Sequence, residues 1–160
     1  AFAADNTYMP SRPGEDVFDP YAVTAQWSRR LTGLKVFMSL AEAGEQGYAG
    51  LIERQAGIGE DLRRMLREAG WIVANVTRLP VVCFTHRDIR SGRVSTRRIL
   101  EPVYRRGRVW ISDVALGGRE KVLRACITSY LTDDSDIECL IEEIESARAE
   151  ALADPSGAGE

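Results

Sequence analysis

Residues 109–129 read VWISDVALGGREKVLRACITS. Val109, Ile111, Val114 and Leu116 precede a Gly117-Gly118 pair, and Val122, Leu123, Ala125 and Ile127 follow it. Apolar and β-branched runs on either side of two glycines predict an antiparallel hairpin, Val109–Leu116 with Glu120–Ser129. Glycine enters the positive-φ conformations of a tight turn without the Cβ penalty that other residues meet. A hairpin alone is marginal in water, so this one asks for further strands and for helices to cover its apolar face.

Working outward, the chain after the hairpin predicts a helix. Thr132 is placed to cap it, Asp133, Asp134 and Asp136 suit its positive end, and Ile137, Leu140, Ile141 and Ile144 mark its inward face. Residues 153–160 read as a disordered tail. Before the hairpin, Ser95–Arg106 reads as a helix interrupted near Pro102. WIVANV (Trp71–Val76) and VVCFT (Val81–Thr85) read as two strands separated by Arg78-Leu79-Pro80.

Further upstream, Leu51, Gln55, Ile58, Leu62, Met65 and Ala69 recur at helical spacing and predict a helix with Gly70 at its end. Arg63, Arg64 and Arg67 form its wet face, and Gly57 and Gly59 weaken it by about 1 kcal/mol each. Gly44, Gly47 and Gly50 separate it from an earlier helix, QWSRRLTGLKVFMSLAEA (Gln26–Ala43), where Leu31, Leu34, Met38 and Ala41 form an apolar stripe with Phe37 beside it. Ser28 is a good N-cap for that helix. Arg29 and Arg30 sit against the dipole, because the first turn of a helix favours anions. Either they pair with carboxylates elsewhere or they recognise something.

The order is helix, helix, strand, strand, helix, hairpin, helix: an α+β domain with a small, mostly antiparallel sheet and helices on one face. Residues 1–25, with Pro10, Pro13, Gly14 and Pro20 and no periodicity, read as a long loop, and residues 26–152 as the domain. At 160 residues and 44% hydrophobic the chain can bury one ordinary core. A net charge of -3 gives no general pull toward nucleic acid or an anionic membrane. No apolar run approaches the roughly 20 residues of a membrane span, and no signal segment opens the chain, so a cytoplasmic protein is the default expectation. Cys83, Cys126 and Cys139 lack zinc or disulfide-framework spacing, and His86 is the single histidine, which argues against a His-based triad or metal centre within the chain. The chain begins at Ala1 rather than Met, which suits a fragment or cleaved product.

Several stretches, in order, carry a resemblance. Ser28-Arg29-Arg30 followed by an amphipathic helix, VVCFTHR at Val81–Arg87, VWISDVALGGREKVLRACITSYLT at Val109–Thr132 and an acidic final helix resemble the C-terminal region of group II pyridoxal-phosphate decarboxylases. That family contains the aromatic-L-amino-acid decarboxylases. AFAADNTYM at Ala1–Met9 resembles the family's mobile catalytic loop and sets Tyr8 on its catalytic tyrosine. ITSYLT lacks the asparagine or histidine usual in the family after this strand.

The resemblance implies the small C-terminal domain of a fold-type I enzyme, converting an L-amino acid, with an aromatic one expected, to its amine and carbon dioxide. Tyr8 would protonate the carbon left when carbon dioxide departs. A phenol with an ordinary pKa of about 10 keeps its proton until a strong base demands it. Family members with phenylalanine there look like aldehyde synthases. Ser28 would lie near the substrate ring, and Arg29, Arg30 and Arg124 would serve structural or interdomain contacts, with an active-site edge the other reading of Arg124. Pyridoxal 5'-phosphate would be anchored by a lysine outside this chain, since neither Lys35 nor Lys121 follows a histidine as the family's cofactor lysine does. The implied partners are an upstream cofactor-binding domain, a second copy in a two-fold homodimer and the amino acid substrate, with no nucleic acid and no membrane.

Two other classes stay open. Arg90, Arg93, Arg97, Arg98, Arg105, Arg106 and Arg108 could form a basic RNA-binding face, although the acidic balance and the lack of an aromatic RNA-binding strand argue for a solvated face or a dimer contact. A non-catalytic partner-interaction module is the other.

Overall fold

The structure, a computed structural model, describes residues 30–118 and 120–153. Residues 1–25, expected from the sequence to be the catalytic loop with Tyr8, lie outside the described residues, as do Ser28, Arg29 and the residues beyond 153. The chain divides into two compact units, Ala1–Gly44 and Glu45–Glu160.

Helix α1 (Thr32–Glu68) is broken at Gly44, whose φ of 66° and ψ of 175° leave the helical region. Only glycine enters that conformation readily, so of the three glycines expected to separate two helices this one makes the break. Gly47 and Gly50 lie within helix. Before the break, Leu34 and Met38 lie within the helix and Leu31 just ahead of it, and all three are exposed, as is Phe37.

The larger unit is built on four strands: β1 (Ile72–Val73), β2 (Val81–Thr85), β3 (Ser112–Leu116) and β4 (Glu120–Cys126). They run in the order β1-β2-β4-β3, every pair antiparallel, with Cys83 opposite Arg124 and Arg124 opposite Ser112. The glycine-paired hairpin is present with shorter strands than expected, and Gly117 and Gly118 both adopt positive φ. The first predicted strand keeps only Ile72 and Val73. Beyond them the Asn75 side chain stands in for backbone pairing, accepting from Cys83 N at 2.8 Å and donating to Val81 O at 3.0 Å.

Strand alternation sends Val82, Phe84, Leu123 and Ala125 into one core with Ile58, Leu62 and Leu66 of α1, Ile99 and Val103 of α3 (Thr96–Arg106), and Ile137, Leu140 and Ile144 of α4 (Asp134–Ala153). A short α2 (Arg87–Arg90), capped by the His86 ring, links β2 toward α3. The fold is α+β with a four-stranded antiparallel sheet, as the sequence predicts.

Three local expectations are corrected. Helix α3 runs through Pro102 without interruption, its Ser95 hydroxyl capping Arg98 N, and Pro102 itself is buried. The cap of α4 is Asp133 rather than Thr132. The Asp133 carboxylate takes the N–H of Ser135 at 2.9 Å and that of Asp136, and the Ser135 hydroxyl, first among these causes, holds the carboxyl below its usual range. Arg63 is not on a wet face. It is 3% exposed and donates to the carbonyls of Leu79 at 2.8 Å and Val81 at 3.1 Å and to Glu60, tying α1 to the start of β2. Arg124 is exposed.

Candidate functional site

Of the residues singled out from sequence, Arg30 and Arg124 are described, and they belong to different units. Arg30 is exposed ahead of α1.

Arg124 is the more informative. It sits at the centre of β4, between Cys83 on one side and Ser112 on the other, with Phe84 and Asp113 opposite its neighbour Leu123. Alternation puts Leu123 and Ala125 in the helix-packed core, so Arg124 lies on the other face, together with Cys83, Val122 and Cys126. On that face Cys83 is 5% exposed and Val122 fully buried, and neither belongs to the helix-packed cluster. Burial pushes the Cys83 thiol up, Arg124 pulls it down, and Cys126 adds a further push upward. Among the described residues Arg124 has no ion pair. It is a charge held at the middle of a largely apolar sheet face, which suits recognition of a carboxylate or other anion brought by another surface.

The backbone leaving β4 is fixed from outside. Arg54 donates to the carbonyls of Tyr130 at 2.7 Å and Thr132 at 3.1 Å, and Gln55 donates to Thr128 O at 3.0 Å. These bonds hold residues 128–132 just past the strand that carries Arg124. Sequence reasoning missed Arg54, because a side chain reaching a carbonyl 76 residues away leaves no local signal. Tyr130 and Leu131 in this segment remain exposed.

The histidine belongs to a structural cluster. Asp88, 7% exposed, receives Arg93 at 2.9 Å and Arg148 at 2.9 Å, and His86 Nδ1 stands 3.0 Å from its Oδ2. Arg148 also bonds Glu145, which in turn receives the Trp71 indole N–H, and the His86 ring meets Trp71 edge-on at 5.2 Å. These contacts join α2, α4 and the start of β1. Every carboxylate in the cluster is already taken by an arginine or an indole, which fits a fold-holding role.

The basic run has a comparable explanation. Arg90 pairs with Glu120, Arg93 with Asp88, Arg97 with Glu101, Arg105 with Glu150, Arg106 with Glu143 and Glu150, and Arg108 with Glu142 and Glu143. Most of these arginines are spent on carboxylates of α3, α4 and β4 rather than forming an open cationic face. Among the described residues there is no cluster able to hold a metal ion and no helix long and apolar enough to cross a membrane.

A pyridoxal-phosphate anchor needs a lysine in a sheltered site with a carboxylate for the ring nitrogen. Lys35 and Lys121 are both exposed and neither has a carboxylate partner among the described residues. The described part of this chain does not fit the cofactor's anchoring site.

Solved structures share the fold. The crystal structure of Oryza sativa TDC with PLP and tryptamine matches with a TM-score of 0.66 and 21% identity over 78% of this chain and 28% of its own. Rhodiola rosea 4-hydroxyphenylacetaldehyde synthase matches with a TM-score of 0.68 and 23% identity over 78% of this chain and 28% of its own. Mouse CSAD matches with a TM-score of 0.68 and 18% identity over 85% of this chain and 32% of its own. The chain thus spans 28% to 32% of the length of these neighbours. No family model and no curated protein sequence matches it.

Proposed function

We propose that this chain is the C-terminal part of a group II pyridoxal-phosphate-dependent L-amino acid decarboxylase. The observation that carries this reading is the fold match to solved structures named for such chemistry, among them a tryptophan decarboxylase from Catharanthus roseus, at 17% identity, each covered over only a fraction of its own chain. The cofactor supplies the electron sink that lets carbon dioxide leave, and it is held by a lysine in a domain preceding residue 1.

This chain's own contributions are narrower. Tyr8 donates a proton to the substrate carbon once carbon dioxide has left, as a phenol can while keeping its proton at neutral pH. Ser28 lies near the ring of an aromatic substrate. Arg29 and Arg30 hold the segment at the boundary with the preceding domain. Arg124 presents its guanidinium to that domain or to the edge of the active site. The working assembly is a two-fold dimer in which the loop of one subunit completes the active site of the other, in the cytoplasm.

The neighbours' names include both decarboxylases and an aldehyde synthase, and Tyr8 favours simple decarboxylation. The reading as an RNA-binding module has less support, because the arginines it would use are paired with carboxylates.

The test joins the preceding cofactor-binding region to Ala1, adds pyridoxal phosphate and measures carbon dioxide release from L-amino acids, aromatic ones first. Release with an equivalent of amine is the expected result. A folded, cofactor-loaded protein that releases none from any proteinogenic amino acid overturns the reading.

A further inference from the structure

We propose that a depression between α2, α3 and the start of β4, on a different part of the domain from Arg124, binds a small phosphorylated molecule with a short apolar body. This inference does not depend on the decarboxylase reading. The depression has a volume of about 740 Å³, inside the range of roughly 300–1,000 Å³ usual for small-molecule sites. Its walls carry Arg90, Arg97 and Lys121 against a single carboxylate, Glu120, while Ile89 and Val94 supply an apolar floor.

The charge balance singles this place out. The chain as a whole is acidic, with a net charge of -3, and across α3 and α4 its arginines are matched by carboxylates. Here three cations face one anion, and Glu120 is already engaged by Arg90 at 2.8 Å. The partner of Arg97, Glu101, lies one helical turn further along α3 and is not part of the wall. That pair is exposed on both sides, so Arg97 can turn to a bound anion at small cost. Lys121 has no ion pair among the described residues. Two exposed cations, one of them unpaired, converging beside an apolar floor match a dianionic head on a hydrophobic stem. The N-terminal end of α3 is not what carries the assignment, since Ser95 already caps it.

The test uses the full chain with phenyl phosphate and inorganic phosphate as probes, at low salt, read by backbone amide shifts in nuclear magnetic resonance and by calorimetry. Phenyl phosphate is expected to shift the amides of Gly92, Arg97 and Lys121 in a saturable way. A variant carrying Arg97→Glu and Lys121→Glu should bind it at least about tenfold more weakly with an unchanged unfolding midpoint, as expected when two charge-assisted contacts are reversed. Arg78→Glu, an exposed charge reversal outside the depression, should bind it like the unaltered chain. Inorganic phosphate should bind more weakly than phenyl phosphate. The assignment is overturned if the shifts do not saturate, if the double variant binds as the unaltered chain does, if Arg78→Glu weakens binding as much as the double variant, or if both probes bind equally.

Discussion

Arg106 of α3 grips Glu143 of α4 twice, its Nε donating to the carboxylate Oε2 and its second terminal nitrogen donating to the Glu143 carbonyl at 3.0 Å. Arg108 takes the other carboxylate oxygen at 2.9 Å. Glu143 is only 4% exposed, so this carboxylate is a polar rivet in the interface that carries Ile99, Val103, Leu140 and Ile144.

The rivet has a pH dependence with a definite sign. Arg106, first among the causes, holds the Glu143 carboxyl below its usual range, Arg108 assisting. A depressed folded-state pKa gives stability that is present above the ordinary glutamate value of about 4.3 and is lost as pH falls through the folded value. Glu143→Gln should therefore cost about 1–3 kcal/mol near neutral pH. The difference from the unaltered chain should shrink toward zero below that folded value. Urea unfolding of both proteins across that range checks it, and a pH-independent difference would remove the ionic account.

Two glycines of α1 should respond in opposite ways to the same change. Gly57 sits within helix with nothing near where a Cβ would project, so Gly57→Ala should gain about 1 kcal/mol from helix propensity. At Gly59 a Cβ would stand 3.1 Å from the Cα of Pro80, a backbone atom that cannot swing aside. Gly59→Ala should lower the thermal midpoint while Gly57→Ala raises it, and scanning calorimetry of the two variants decides.

What the sequence made legible and what it hid divide along a physical line. The hairpin around Gly117-Gly118, the VVCFT strand and the inward face of α4 were readable because each is a local pattern of period 2 or 3.6 bounded by a turn or cap. Arg63 was misread because charge predicts exposure, whereas two carbonyls near Pro80, supplied by a loop 16 and 18 residues away, made burial tolerable. Pro102 was read as a break because proline disfavours helix interiors, yet packing of its buried ring and of Val103 carries the helix through. The arginine run looked like a possible face until the partners from α4, more than 30 residues on, were in place. Of the candidate site residues, Arg30 stands ahead of α1 and Arg124 in the sheet, while Tyr8, Ser28 and Arg29 rest on sequence resemblance and lie outside the described residues.

The absence of a fitting cofactor anchor leads to a direct expectation. Incubated with pyridoxal phosphate and reduced with borohydride, this chain alone should carry no stable adduct on Lys35, and it should release no carbon dioxide from amino acids. Mass spectrometry of the digested protein provides the check. A stoichiometric, saturable adduct on Lys35, or carbon dioxide release by this chain alone, would place the anchor inside this chain and contradict the proposed division of labour.

The most direct test of the account is Tyr8→Phe in the complete enzyme. On the proposed role the change removes only the hydroxyl that acts in the chemistry, so folding and cofactor binding should be retained. Amine formation should collapse, because the hydroxyl that delivers the proton is gone. Molecular oxygen should then oxidise the decarboxylated carbon, being reduced to peroxide, and hydrolysis should release aldehyde and ammonia. Amine, aldehyde, ammonia and peroxide are measured together on one reaction: a switch from amine to the other three is the predicted result, and amine produced at the unaltered rate would contradict it.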